Sequence, residues 1–481
     1  MANSFYWHDY ETFGADPQRD RPVQFAGVRT NEQLEVIEDP LVLFCQPADD
    51  CLPNPEACLI TGITPQQAVA EGIPEYQFIQ QINDKFSVPG TCGAGYNSIR
   101  FDDEVTRNCL YRNFHDPYAR EWQNSNSRWD LIDLVRAVYA LRPEGIQWPK
   151  REDGAPSFRL EDLTSANGIS HQAAHDALSD VHATIAVAAL IKRQQPKLYD
   201  YLFQLRSKHK VAKLVNYLTP KPLLHVSGMY PATQGCLGLV APVVAHPVNS
   251  NGVIVWDLSV DPVDLGKLSV EEIQHRLFTS RAILEQEGLE RLPLKTVHMN
   301  KCPVLAPVSA LTDSQAEKFA LDRERCRNNF IALMENKDIP GKVMQAFSKQ
   351  EYDALTDPDL MIYSGGFFSK SDKSAMEEVH RTEPQDLVNL ETSFVDERLA
   401  EMLFRYRARN FPESLDYDDE ARWRQFCADK VMRDHPASSL SWPQFESLIT
   451  ELKHKNQADP ARLKLLDDVY RYSQELVQRV S

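Results

Sequence analysis

The sequence predicts an α/β protein in three parts: a mixed-sheet domain over residues 1–194, a β-rich domain with helices over 195–350, and a linker with a helical domain over 351–481. Three observations predict it. Short β-branched and aromatic runs open the chain, and helical periodicity alternating with short strands follows them. A second β-rich stretch then gives way to helices alone. The length of 481 residues, at roughly 150 per domain, suggests about three domains, each large enough to bury its own core.

In order, Ser4 to Asp9, Val23 to Arg29, Leu34 to Ile37 and Leu41 to Cys45 read as strands of an antiparallel meander, with Gly14, Pro17, Asp20, Pro22, Asn31 and Pro40 turning the chain between them. Apolar residues then recur at three- and four-residue intervals in Pro65 to Glu71, Tyr76 to Phe86, Asp102 to Phe114, Leu131 to Leu141 and Ala177 to Gln194, which predicts helices. Thr64 is placed to cap the first of these, with Pro65 at the first helical position. Past a short basic helix (Arg206, Lys208, Lys210, Lys213), the runs Leu223 to Val226, Leu237 to Val244, Val253 to Leu258 and Leu294 to Met299 predict a small barrel or sheet. Val270 to Leu277 and one long helix, Ser314 to Asn336, accompany it. Residues 337–392 are polar and turn-rich, predicting a connection. Four helices close the chain: Val395 to Ala408, Ala421 to Arg433, Trp442 to Lys453 and Pro460 to Val480.

With 52 Lys and Arg against 69 Asp and Glu, the net charge is -17. That excludes a polybasic nucleic-acid binder acting over its whole surface, but not a local basic groove. Nine cysteines without a C-x-x-C pair argue for reduced thiols rather than a disulfide framework or zinc ribbon. No apolar run approaches the ~18 residues of a membrane span, and the N-terminus lacks a leader pattern. These features predict a cytoplasmic protein. No sustained heptad seam argues for an obligate oligomer, so a monomer is expected.

Three places carry chemistry. Asp9 and Glu11 are two residues apart on the first strand, so their carboxylates project from one face. Two such groups repel unless a cation lies between them, and hard oxygen ligands favour Mg²⁺ or Mn²⁺. A chance acidic pair has the same spacing, as at Asp418 and Glu420 in a stretch that reads as a loop. His175 and Asp180 flank the start of the helix Ala177 to Gln194, where a base and a ligand can address one point. His171 with Asp176 repeats the spacing, but Asp176 is the better helix cap. Asp102 lies at a strand-to-helix junction after Asn97-Ser98-Ile99-Arg100-Phe101, where it, or Asp103, also suits a cap alone. The nearby glycines do not form a nucleotide loop, since no GK[ST] follows them.

In combination and order, these motifs resemble the DEDDh family of 3'→5' exonucleases. Asp9-Tyr10-Glu11-Thr12-Phe13-Gly14 is similar to the family's D-x-E-T-x-G, Ile60 to Pro65 to its G-I-T turn, and Phe158 to Leu163 ahead of Ala174-His175-Asp176-Ala177 fits as well. The β-rich middle and helical end resemble the bacterial exodeoxyribonuclease I family over the whole chain. The resemblance implies a ribonuclease H-like exonuclease domain, an SH3-like domain and a helical domain. It further implies processive 3'→5' hydrolysis of single-stranded DNA to deoxynucleoside 5'-monophosphates, in DNA repair and recombination. Two Mg²⁺ ions, with Mn²⁺ as a substitute, would be held by Asp9, Glu11, Asp180 and Asp102, with His175 as base. Strand contacts are expected from Arg159 first, then Glu11, Arg107, Tyr118, Trp122 and Arg136. The acidic C-terminal tail of single-stranded DNA-binding protein is the implied partner. RNA trimming or proofreading by a related enzyme would account only for residues 1–194. A non-catalytic single-strand-binding scaffold is disfavoured by the intact acidic and histidine positions.

Overall fold

The computed structural model describes residues 3–171, 176–348 and 355–481. They form two compact units, one from residues 1–127, 171–182 and 353–481, the other from 128–170 and 183–352.

In the first unit, strands β1 (Ser4–Thr12), β2 (Pro22–Thr30), β3 (Leu41–Phe44) and β4 (Thr91–Gly95) lie in the order β3-β2-β1-β4. β1 pairs antiparallel with β2 and parallel with β4, so the sheet is mixed as the sequence predicts. Leu34 to Ile37 makes only an isolated bridge, Thr30 to Val36, rather than a strand. One face of β1 sends Tyr6 and Tyr10 into a core with Phe25, Phe78, Ile82 and Phe86. The period-two alternation that buries these rings turns Asp9 and Glu11 the other way.

The helix Pro65–Glu71 starts as predicted, with Thr64 Oγ1 accepting from Gln67 N–H at 3.2 Å and Pro65 in its first turn. The preceding helix Pro55–Thr61, which periodicity missed, stops at Gly62, whose φ of +72° suits the G-I-T turn. Its termination explains why the motif contains glycine.

The C-terminal helices share cores with this sheet unit. Phe13, Val23, Leu52 and Cys58 pack with Phe445, Ile449, Leu466, Val469 and Leu476 in one cluster, and Tyr111 and Phe114 with Met376, Leu399, Leu403 and Tyr406 in another. Residues 337–392 are not a bare connection. They contain the helices Ile339–Ser348 and Lys370–Val379 and a 3₁₀ segment Pro384–Ser393, because Val343, Phe347, Met376, Val379 and Leu387 each supply an apolar side to bury. Asp418 and Glu420 lie in the first turn of the helix Tyr417–Met432 rather than in a loop, where acidic residues complement the helix dipole.

The chain enters the second unit along β5 (Ser127–Asp130). There β6 (Leu223–Val226), β7 (Leu237–Ala245), β8 (Gly252–Asp257), β9 (Leu294–His298) and β10 (Val304–Pro307) form an all-antiparallel sheet in the order β10-β6-β7-β8-β9. The long helix expected from Ser314 to Asn336 is two, Asp313–Lys318 and Arg323–Glu335, broken where Ala320 takes a φ of +54°. Asp322 then caps the second of them. All nine cysteines are free thiols. Among the described residues no helix is long and apolar enough to cross a membrane.

Candidate active site

β1 brings Asp9 and Glu11 to one face, opposite Ala26 and Gln24 of β2. Gln24 reaches across the sheet face to the start of the helix that carries Asp180. The Ala177–Gln194 helix presents Asp180 from its first turn. One carboxylate oxygen each of Asp9, Glu11 and Asp180 falls within 4.8 Å of the others.

Asp102 joins them through the backbone. Its Oδ1 accepts from Tyr10 N–H at 3.0 Å, between the two β1 carboxylates in sequence. Thr106 Oγ1 lies 3.0 Å from Tyr10 Oη and 2.8 Å from Asp102 O, which fixes that junction from behind. Neither Asp102 nor Asp103 is the helix cap, a position taken by Phe101 without a side-chain bond. Asp103 instead accepts from Arg120 Nη2 at 2.7 Å in the interior. Of two adjacent aspartates, one is neutralised by arginine and the other faces the acidic cluster.

Asp176 caps the Asp180 helix as predicted, Oδ2 accepting from Ser179 N–H at 3.2 Å. His175 lies outside the described residues. His171, not paired with Asp180 in the sequence reading, places Nε2 2.5 Å from Asp180 Oδ1. A nine-residue separation matches neither the strand nor the helix repeat and leaves no periodic signal for such a contact. Gln24 is the other residue missed, since only its register opposite Glu11 distinguishes it.

The electrostatics follow from this crowding. Burial pushes the Glu11 carboxyl up to about 8, and Asp180, Asp102 and Asp176 add to the shift. Burial raises Asp9 well above the carboxylate range too, reinforced by Asp102, Glu11 and Asp180. Burial and the surrounding carboxylates thus disfavour the charged forms of Asp9 and Glu11. An all-oxygen donor set whose charges repel in this way suits a hard divalent cation, so the residues fit a metal site.

The expected strand-contact residues divide by exposure. Trp122 is 65% exposed, as a stacking side chain requires. Tyr118 is half-buried, its ring under the Arg107 guanidinium at 5.4 Å. Arg107 itself is only 4% exposed and is not a surface cation, since it holds Glu121 by two bonds of 2.7 and 2.8 Å and Glu104 at 2.7 Å. In the second unit, the Arg159 side chain is 75% exposed with Glu161 3.7 Å away. Arg136 there pairs with Asp133 at 2.7 Å.

Three family models match the chain: Exonuclease over residues 6–188, Exonuclease I SH3-like domain over 206–349 and Exonuclease I C-terminal domain over 356–476. The chain is 46% identical to the Exodeoxyribonuclease I of Escherichia coli strain K12, covering 99% of both chains. Its identity to that of Haemophilus influenzae is 43%, covering 98% of this chain and 99% of the other. Among solved structures, it matches the moderately thermophilic Exonuclease I from Methylocaldum szegediense with a TM-score of 0.94 and 47% identity, covering 99% of this chain and 100% of that one. A zinc-ion-bound E. coli Exonuclease I complex with single-stranded DNA matches with a TM-score of 0.93 and 46% identity, at the same coverage. With three family models spanning it and its relatives aligned from end to end, the chain belongs to the exodeoxyribonuclease I family.

Proposed function

We propose that this protein is a processive, divalent-metal-dependent exonuclease that degrades single-stranded DNA from its 3' end, acting in DNA repair and recombination. The observation that carries the reading is the convergence of Asp9, Glu11 and Asp180, with Asp102 tied to the same strand. These four residues would hold two Mg²⁺ ions, with Mn²⁺ as a substitute. Ions held there would supply positive charge for activating water and for stabilising the departing 3'-oxygen. Asp9 and Glu11, whose burial favours the protonated form, would release their protons on holding such ions. His175 takes the proton of the attacking water as the phosphorus–O3' bond breaks and a nucleoside 5'-monophosphate leaves. A base of this kind contributes about 10²- to 10⁴-fold.

Trp122 and Tyr118 are proposed to stack on bases, Arg107 to back the Tyr118 ring, and Arg159 and Arg136 to meet phosphates. Residues 1–194 would carry the chemistry, with 195–350 and 351–481 adding contacts that keep the strand engaged. The protein is proposed to work as a cytoplasmic monomer and to take the acidic tail of single-stranded DNA-binding protein as partner. A groove of about 550 Å³ in the second unit supports this, because Arg142 and Lys197 stand beside Leu141, Leu198 and Tyr201. Cations next to apolar walls suit an acidic peptide with an apolar end.

The test uses labelled single-stranded DNA, duplex DNA and RNA, each blocked at one end or the other, with Mg²⁺ or EDTA. Mononucleotide release only from a free 3' end of single-stranded DNA, abolished by EDTA, is the expected outcome. Equal activity on RNA, or release from a 3'-blocked strand, overturns it.

A further inference from the structure

We propose that Gln24 is a positioning residue for the acidic cluster, its side-chain amide fixing the helix that carries Asp180 against the strand that carries Asp9 and Glu11. The inference rests on the nuclease reading above.

Asp9 and Glu11 are fixed relative to each other by one strand, but Asp180 comes from an element more than 150 residues later in the chain. Something must set the distance between them. Asp102 is tied to β1 by the Tyr10 amide. For Asp180 the tie is Gln24, a buried residue of β2 in register with Glu11. Opposed residues in an antiparallel pair project from the same face, so the Gln24 side chain leaves the sheet next to the Glu11 carboxylate. It makes two bonds at the start of the Asp180 helix. Gln24 Oε1 accepts from Ala177 N–H at 3.2 Å, and Gln24 Nε2 donates to Asp176 Oδ1 at 3.2 Å. The first bond satisfies a backbone donor that has no partner inside the helix. The second orients the cap, whose other oxygen accepts from Ser179 N–H. Asp180 N–H in turn donates to Asp176 O at 3.0 Å. The chain of bonds runs from the sheet face beside Glu11 to the backbone of Asp180 itself.

An amide suits this position and a carboxylate does not. Only an amide both accepts from Ala177 and donates to Asp176, and it adds no charge to a cluster already crowded with carboxyl groups. Partners of this kind, one shell out from metal ligands, typically change metal affinity or activity by about 10- to 100-fold when removed.

The test compares the full-length wild type with Gln24→Ala, Gln24→Glu and the pair Gln24→Glu/Asp176→Asn. The double variant reverses the polarity of the bond between the two positions, since the amide introduced at position 176 can donate to the carboxylate introduced at position 24 while still capping the helix. Each is measured for kcat and KM on single-stranded DNA, for Mn²⁺ binding by calorimetry, and for thermal unfolding. Gln24→Ala should lower kcat about 10-fold or more with KM within twofold, and weaken Mn²⁺ binding about fivefold or more, measured well below its unfolding midpoint. Gln24→Glu should be worse, and the double variant should recover most of the Mn²⁺ affinity. The inference is overturned if Gln24→Ala matches wild type in both kcat and Mn²⁺ binding, or if the double variant is no better than Gln24→Glu. An inactive wild type that nevertheless binds Mn²⁺ would sink the nuclease reading instead, and the calorimetric comparison would still decide the role of Gln24.

Discussion

Tyr10 N–H donates to Asp102 Oδ1 at 3.0 Å, so the peptide unit that separates Asp9 from Glu11 also holds the fourth carboxyl group of the acidic cluster. A substitution at Asp102 therefore removes both a carboxylate and the anchor of the strand that bears two others. Asp102→Asn retains an acceptor for Tyr10, whereas Asp102→Ala does not. Metal-dependent activity should fall for both, and the unfolding midpoint should fall further for Asp102→Ala, by an amount near one buried hydrogen bond, about 1–3 kcal/mol.

Activity itself is the simplest check on the remaining roles. His175→Ala should reduce kcat by about 10²- to 10⁴-fold, and Asp9→Asn should be impaired at any Mg²⁺ concentration. Retention of near-wild-type Mg²⁺-dependent nuclease activity by either one removes that residue from the mechanism.

Glu11 makes metal-free stability depend on pH. Its folded pKa of about 8 lies above its ordinary value of 4.5, chiefly through burial, so the folded state holds a proton that the unfolded state has released. Stability contributed by that proton is complete below the ordinary value and is lost as pH rises through about 8. In EDTA, the unfolding free energy should decline from about pH 5 to pH 8 by up to about 1.4 kcal/mol per pH unit for each such proton. Asp9, shifted in the same direction, adds to the slope. Glu11→Gln should flatten it, and saturating Mg²⁺ should do the same to wild type; denaturant titrations across this range measure both.

Asp50 gives the opposite dependence. Burial alone would raise its pKa, but Arg21, Arg409 and Lys430 hold it well below the carboxylate range. Its Oδ2 accepts from those three cations at 2.9, 2.9 and 3.0 Å. Asp50→Asn leaves buried cations facing a neutral amide and should cost about 3–5 kcal/mol at neutral pH. The gap from wild type should close only as pH falls below the ordinary carboxylate value of about 4, where the contribution of a depressed acid is lost.

Strand affinity separates stacking from charge. Trp122→Ala should weaken single-stranded DNA binding by about 1–3 kcal/mol without changing its salt dependence. Arg159→Ala should reduce the slope of log affinity against log salt by about 0.7, the value for one phosphate contact. Fluorescence anisotropy across a salt series reads both.

The acidic positions were legible in the sequence because strand and helix periodicities dictate where side chains point. Asp9 and Glu11 share a face through the two-residue repeat, and Asp180 sits one turn past a cap identified by its residue type. What escaped depends on tertiary contact. Arg107 looks like a surface cation until Glu121 and Glu104 close around it, and His171 meets Asp180 at a spacing that no strand or helix repeat gives. Gln24 carries no motif, since a lone amide on a strand is ordinary until its helix is in place. The helix Ile339–Ser348 was hidden by Pro340 and Gly341 in its first turn and Lys370–Val379 by its polar composition, because a few buried residues suffice to dock a helix. The break at Ala320 was invisible for a plainer reason: alanine is the best helix former and gives no warning of a left-handed turn.

The cores shared by the catalytic sheet and the C-terminal helices bear on how the enzyme is made. Phe13 and Val23 leave the ribosome early, yet they pack with Leu466 and Leu476 of a helix that is translated last among these elements. At typical elongation rates the delay is on the order of tens of seconds. During that interval the nascent chain has its acidic strand but not the apolar wall beside it. Closure of this core therefore waits for the helix Pro460–Val480, and a chain terminated before it would lack the surface that closes the hydrophobic interior. Quality control would meet such a fragment as an exposed core rather than as a working nuclease, which would keep DNA-degrading activity tied to synthesis of that helix.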